Sequence, residues 1–292
     1  MIDIQYVSKS FGATKALDKL KLEIGDGITG LVGENGAGKS TLLRCIAGVL
    51  NPEEGSIYID GKERKDIEAK KELYFLSDFP YSPPNSTIDT VYKFYSCFYD
   101  FDLDRFHEIL THFSLPAAGK INNFSKGMRR QLFVALALAA KTKYLLMDEA
   151  FDGLDPIALD AIKGEIIKEK ENGRSVIVSS HNISALEKLA DRFVMLSKGH
   201  LAADEETQSM GENFVKYQAF FEKNPTEEEL SSLCSLISYR KVGSILNFVM
   251  EEDEEALSKI KETYKPKFIE NVNIDGDELV TLTMLKARKE GK

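Results

Sequence analysis

The segment Gly33-Glu34-Asn35-Gly36-Ala37-Gly38-Lys39-Ser40-Thr41 follows the apolar stretch Ile28–Val32, and its reading decides the fold. The spacing is G-x-x-x-x-G-K-S/T, set between an expected strand and an expected helix. The glycines let the backbone wrap so that its N–H groups converge on phosphate oxygens, and the following helix adds the positive end of its dipole. Lys39 is expected to reach the β- and γ-phosphates of a nucleoside triphosphate, with the Ser40 hydroxyl on Mg²⁺.

A second segment completes such a site. Tyr144-Leu145-Leu146-Met147 reads as a buried strand, and Asp148 at its end can hold Mg²⁺ through water. Glu149 then stands beside the terminal phosphate, where a carboxylate orients or activates the attacking water. An apolar strand ending in Asp-Glu is ordinary by itself and gains meaning only beside the glycine loop.

Further strands are expected at 2–7, 20–24, 57–59, 73–76, 176–179 and 193–196. Helices are expected at 39–49, 156–171 and 183–191, with a mostly helical stretch from 88 to 140. Strands alternating with helices point to a largely parallel sheet, with the first strands forming an antiparallel region. Past residue 205 the pattern changes. A helix is expected at 206–223, and Thr226 and Glu229 have capping-box spacing for a second. A strand at 242–250, a helix at 252–264 and a hairpin pairing 268–274 with 279–285 through Asp275-Gly276 complete a small α+β appendage.

The chain has 292 residues, 43% hydrophobic and 29% charged, with 38 Lys+Arg against 47 Asp+Glu and a net charge of -9. Residues 205–292 hold 18 acids and 12 bases, a net -6, against -3 for 1–204. The acidic balance argues against nucleic acid as a partner. The longest apolar run, 132–140, is half of the roughly 20 residues a bilayer span needs. The opening residues lack a signal-peptide pattern, and three scattered cysteines read as reduced thiols.

One further segment narrows the type of nucleotide enzyme. Phe124-Ser125-Lys126-Gly127-Met128-Arg129-Arg130-Gln131 resembles the LSGGQ signature of ABC-transporter ATPases, and it precedes Asp148-Glu149 as the family's motif does. Gly153-Leu154-Asp155-Pro156 is similar to the family's D-loop, and His181 to its H-loop. The resemblance covers residues 1–204 and implies a P-loop α/β fold of ABC type. Its parts would be a mixed-sheet core, an antiparallel β subdomain and a helical subdomain at about 86–140. Residues 205–292 would then be a dimerisation or regulatory extension, or a passive stabilising one.

By the same resemblance, ATP with Mg²⁺ lies between two cassettes packed head to tail, in a homodimer or heterodimer. Ser125, Lys126, Gly127 and Met128 of one chain would face the nucleotide on the loop 33–41 of the other. Asp155 would communicate between sites, and His181 would contact the γ-phosphate unless it is a core histidine. Phe11 would stack on adenine, or else be a core phenylalanine. Lys126 and Met128 replace the family's usual glycine and glutamine, in the manner of ABC-2-type exporter ATPases. Where the family carries a Q-loop glutamine, this chain has Ser77-Asp78. Asp78 is expected to ligate Mg²⁺ and to couple the nucleotide to a membrane partner. The aromatic residues from Phe79 to Phe101 would either meet that partner or pack a helical core.

Ser77-Asp78-Phe79-Pro80-Tyr81, Phe98-Tyr99-Asp100-Phe101-Asp102 and the Ser125–Met128 segment carry a finer likeness. They resemble the Gram-positive subgroup that contains YtrB-like ATPases and exporters of cytolytic peptides, the phenol-soluble modulins. This implies an ATPase on the cytoplasmic face of the cell membrane that powers a separate integral membrane permease for amphipathic or antimicrobial peptides. The alternatives are an importer ATPase, or an ABC ATPase acting on ribosomes or DNA.

Overall fold

A computed structural model describes residues 1–116, 119–181, 183–207 and 213–289. The chain forms two compact units, Met1–Thr207 and Gln208–Lys292.

The first unit opens with β1 (Ile2–Phe11), β2 (Thr14–Ile24) and β3 (Ile28–Val32), followed by α1 (Lys39–Ile46). Next come β4 (Glu54–Ile59), β5 (Lys62–Glu63), α2 (Ile67–Lys71) and β6 (Leu73–Leu76). The helical stretch comprises α3 (Ile88–Tyr95), α4 (Leu103–His112) and α5 (Lys126–Ala139). Then follow β7 (Tyr144–Met147), α6 (Pro156–Glu171), β8 (Ser175–Ser179), α7 (Ser184–Glu187), β9 (Arg192–Ser197) and β10 (His200–Glu206).

Two sheets result. One is antiparallel, in the order β2-β1-β4-β5; the other has six strands, in the order β10-β9-β3-β8-β7-β6. In the larger sheet β9, β3, β8, β7 and β6 run parallel and only β10 is antiparallel. Strands β3, β7 and β8 are buried along their whole length, which is why ITGLV, YLLM and SVIVS carry no alternating polar residues. The two sheets share one core with α1: Ile2, Ile4 and Leu17 pack with Leu42, Leu43, Leu31, Leu146 and Ile177. The apolar run 132–140 belongs to α5, which is buried against α4, α6 and β6. No helix among the described residues is long and apolar enough to cross a membrane.

Two helices are shorter than expected. The chain leaves α1 at Ala47 and turns through Gly48 at a φ of 74°, before the Asn51-Pro52 stop is reached. The helix expected at 183–191 is a single turn, α7; residue 182 just before it lies outside the described residues.

The second unit holds β11 (Phe214–Phe220), α8 (Glu227–Ser231), β12 (Leu236–Val242), β13 (Ile245–Glu251), α9 (Glu254–Tyr264), β14 (Phe268–Val272) and α10 (Gly276–Lys289). Its antiparallel sheet has the order β12-β13-β11-β14. Ala219, Leu246, Phe248, Ala256 and Ile260 form one core cluster, and Ile237, Val249 and Leu282 another. The capping box at Thr226 forms as the spacing predicts, with Glu229 returning a bond to the Thr226 N–H at 2.7 Å.

Two expectations fail in this unit. The helix expected at 206–223 is instead the end of β10 and the whole of β11; residues 208–212 lie outside the described residues. Phe, Val and Tyr in FVKYQAF suit a central strand with partners on both sides. The strand expected at 242–250 forms as β13, starting at Ile245 after the turn at Gly243-Ser244 and pairing with β12, which the sequence reading did not expect. The second hairpin does not form, because Asp275 acts as a helix cap: its Oδ1 accepts the Glu278 N–H at 2.8 Å and α10 follows.

Candidate functional site

Strand β3 delivers the chain into the glycine loop. At Gly33 a Cβ would lie 2.4 Å from the Leu196 carbonyl oxygen, and at Gly38 (φ 109°) 2.5 Å from that of Ala16, so neither place admits a side chain. Gly38 is the N-cap of α1, makes no side-chain cap, and is followed by no acidic residue in the first turn. The leading N–H groups are therefore turned toward whatever anion enters. Glu34, Asn35 and Gly36 are exposed at the tip, Ala37 is buried, and Thr41 is half-buried in α1. Lys39 is only 5% exposed, and its ammonium donates to the carbonyls of Gly33 at 2.7 Å and Glu34 at 3.3 Å. Burial pulls its pKa down, while Glu149 and Asp148 push it back up.

Asp148 lies fully buried beneath this loop. Its Oδ1 accepts the hydroxyls of Ser40 at 2.9 Å and Ser179 at 2.8 Å, whereas its Oδ2 is buried with no hydrogen-bond partner among the described residues. A buried orphan carboxylate oxygen beside a serine hydroxyl suits a hard divalent cation with oxygen ligands.

Glu149 follows at a φ of 48°, in the left-handed region that costs a non-glycine residue about 1–2 kcal/mol. Its N–H is held by Ser179 Oγ at 2.9 Å, and its Oε2 lies 2.8 Å from His181 Nδ1. The ends of neighbouring parallel strands β7 and β8 thus bring Ser40, Asp148, Glu149, Ser179 and His181 into one hydrogen-bonded chain. His181 has a side chain 57% exposed and is not a core histidine.

Ser125 caps α5, its Oγ accepting the Met128 N–H at 3.1 Å, so its own proton stays available. Lys126 Nζ reaches Asp152 Oδ2 at 2.5 Å, and Gly127 and Met128 are half-buried behind it. Asp155 caps α6 through the Ala158 N–H at 2.9 Å. Phe11 stands at the end of β1, 51% exposed, with the Lys9 ammonium 5.5 Å from its ring centre, so it is not part of the core.

Asp78 is half-buried on a cavity of about 440 Å³ that Phe79, Phe124, Arg129, Phe133 and Asp152 also line. Burial raises its carboxyl pKa, the Arg130 guanidinium opposes that rise, and Asp148, Asp152 and Glu149 add to it. Among the aromatic residues of this region Tyr74 and Phe106 are buried, whereas Phe79 (83%), Tyr81 and Phe98 are exposed. Tyr81, Phe94 and Phe98 form a contiguous row of rings.

Sequence reasoning overlooked three residues. Ser179 bridges Asp148 and Glu149, and only its place at the end of VIVSS could have flagged it. Asp152 pairs with the signature lysine. Arg130, 5% exposed, donates to the carbonyls of Ala150 at 3.1 Å, Ser77 at 2.9 Å and Asp78 at 3.3 Å, and to that of Asp148. Its place just before the apolar run of α5 was the available signal.

A family model described as ABC transporter matches residues 17–152. The ABC transporter ATP-binding protein YtrB of Bacillus subtilis (strain 168) is 26% identical over 291 residues, 96% of either chain. The lantibiotic transport ATP-binding protein SrtF of Streptococcus pyogenes is 29% identical over 228 residues, 76% of this chain and 99% of SrtF. The methionine import ATP-binding protein MetN of Clostridium tetani (strain Massachusetts / E88) is 30% identical over 247 residues, 79% of this chain and 76% of MetN. Among solved structures, the dimeric post-hydrolysis state of the ATP-binding cassette MJ0796, bound to ADP and Pi, matches with a TM-score of 0.64. Its identity is 25%, across 71% of this chain and 99% of the cassette. At 30% identity across 79% of this chain, the match to MetN shows the family: the chain belongs to the ABC transporter ATP-binding proteins and is an ATPase whose ATP hydrolysis is coupled to transport.

Proposed function

We propose that this chain powers the export of amphipathic or antimicrobial peptides through a separate integral membrane permease, working at the cytoplasmic face of the membrane. The observation that carries the peptide class is the likeness to the lantibiotic transport ATP-binding protein SrtF along 99% of that chain. The segment Ser125-Lys126-Gly127-Met128 supports export as the pattern of ABC-2-type exporters. The likeness to MetN favours import as a second reading.

Two cassettes, two copies of this chain or one copy and a related one, pack head to tail; the dimeric MJ0796 cassette supports this arrangement. ATP enters the loop 33–41, and Lys39 exchanges the Gly33 and Glu34 carbonyls for β- and γ-phosphate oxygens. Phe11 offers an exposed ring to adenine at the edge of the same unit. Ser40, Asp148 and Asp78 would hold Mg²⁺, which when bound neutralises charge on the phosphates; the orphan Oδ2 of Asp148 supports the fit. Glu149 orients the attacking water, and His181 holds the Glu149 carboxylate while facing the γ-phosphate. Ser125, Lys126, Gly127 and Met128 of the second cassette close over the nucleotide, with Asp155 linking the two sites. The cavity at Asp78, with the exposed Phe79 and the ring row of Tyr81 and Phe98 nearby, receives a cytoplasmic segment of the permease. The unit 208–292 stabilises or regulates the dimer.

Purification of the full chain from its own membranes tests the assignment. An integral permease should co-purify without a solute-binding protein. Inverted vesicles carrying the pair should take up a cationic amphipathic peptide in an ATP-dependent way, and vesicles with Glu149→Gln should not. A solute-binding protein in the complex, or uptake that ignores Glu149→Gln, would sink the export reading.

A further inference from the structure

Lys126 occupies the first residue of α5, and its ammonium is held by Asp152, in the loop that follows Asp148-Glu149. The two segments touch closely. A Cβ on Gly127 would lie 2.9 Å from the Gly153 carbonyl oxygen, and one on Gly153 would lie 2.9 Å from Cδ of Lys126. The ion pair is nevertheless open to solvent, with side-chain exposures of 65% for Lys126 and 38% for Asp152. A lysine–carboxylate pair at that exposure is weakly held, because water and ions compete for both partners. A terminal phosphate carries more charge and more acceptor oxygens than a carboxylate, so it is the stronger partner for the same ammonium.

Asp152 is also supplied for the loss of that partner. Besides the hydrogen bond from Lys126, the Arg130 charge acts on its carboxyl and helps hold it ionised. Departure of Lys126 would therefore leave a carboxylate that still faces the Arg130 guanidinium. The side chain that would be freed sits on the signature segment, next to the Ser125 hydroxyl whose proton is uncommitted.

We propose that Asp152 is an internal stand-in for the terminal phosphate of the nucleotide held by the second cassette: in the separate chain it holds the Lys126 ammonium, and on closure Lys126 exchanges it for that phosphate. The nucleotide contact already read for Lys126 is thereby held back by Asp152, which sets the ATP concentration at which the dimer closes. This rests on the head-to-tail reading given above.

The test uses the full chain carrying Glu149→Gln, with dimerisation followed by sedimentation across an ATP titration. Asp152→Asn should free Lys126 and lower the half-saturating ATP concentration by about threefold, in line with the small worth of an exposed pair. Lys126→Met should raise it roughly tenfold, as loss of one charge-assisted phosphate contact does. The pair of changes together should follow Lys126→Met, and Lys126→Arg should keep wild-type closure. Melting curves on each variant confirm that the fold is retained. If Asp152→Asn and Lys126→Met weaken closure alike, the pair only positions the signature segment and the exchange is overturned. An unchanged titration for Lys126→Met overturns it as well. Failure of the Glu149→Gln chain to dimerise at any ATP concentration overturns the head-to-tail reading itself.

Discussion

His181 Nδ1 lies 2.8 Å from Oε2 of Glu149, and the His181 backbone N–H points to the same oxygen at 3.3 Å. The residues reach each other because β7 and β8 are parallel neighbours that end side by side, with Ser179 Oγ fixing the Glu149 N–H between them. A carboxylate at the left-handed position of Glu149 has its direction set by its partners rather than by free rotamer choice. His181→Ala should therefore slow hydrolysis by about 100-fold while changing the ATP affinity far less. Single-turnover hydrolysis beside equilibrium nucleotide binding separates the two. Equal losses in both would show that His181 serves binding alone.

Arg130 is buried and satisfies four backbone carbonyls from two segments: Ser77 and Asp78 after β6, and Asp148 and Ala150 after β7. It ties the loop after β6 to the loop after β7. Arg130→Met keeps the length of the side chain but leaves those carbonyls short of donors, and should cost about 3 kcal/mol in denaturant unfolding. Arg130→Lys should recover little, since one ammonium cannot reproduce the planar fork. Full recovery by lysine would mean that charge alone matters here.

The cassette was legible because its chemistry demands fixed spacing. Gly33 and Gly38 sit where backbone closes on backbone, and the strands that end at Val32, Met147 and Ser179 are buried on both faces. The partners Ser179, Asp152 and Arg130 were hidden, since hydroxyls, carboxylates and guanidinium groups gain such roles only when distant segments meet. In the second unit the local signals conflicted. Asp275-Gly276 has the composition of a hairpin turn, yet Asp275 and Glu278 also have cap spacing, and the cap prevails. Val280 and Thr283 favour strands by propensity, but with Leu282 they are buried on a helix whose core was not visible from 279–285 alone.

Asp78 stands where a neutral amide would carry no charge. Burial raises its pKa against the opposing Arg130, and the carboxylates of Asp148, Asp152 and Glu149 raise it further. A carboxyl whose folded pKa is raised binds its proton more tightly in the folded state than in the unfolded one. Ionisation therefore costs stability as pH climbs from the unfolded value toward the folded one, and the cost is complete above both. Asp78→Asn should melt slightly higher than wild type at pH 7, by a few tenths of a kcal/mol, with the gap closing below about pH 4. Paired melting scans across that range decide it; a gap that widens toward acid would reverse the sign.

Glu165 presents the opposite case. Its residue surface is 1% exposed on α6, yet Arg105 of α4 donates to Oε2, while His112 of α4 and Lys168 lie 2.8 Å from Oε1. Burial pushes its carboxyl up, but the bonds from Lys168 and His112 and the Arg105 charge outweigh that and hold its pKa below the ordinary value. Because the folded pKa is depressed, this stability is present above the unfolded value and is lost as pH falls through the folded one. Glu165→Gln removes the anion and leaves Arg105, 20% exposed, with only the weaker contacts to Glu169 and Glu108. The loss should be about 3 kcal/mol at pH 7, and it should shrink on acidification as wild type loses the same anion. The contact between α4 and α6 should loosen first, read as faster amide exchange in Leu103–His112 with β3 and β8 still protected. Uniform exchange across the unit would show instead that Glu165 supports the whole fold rather than this one joint.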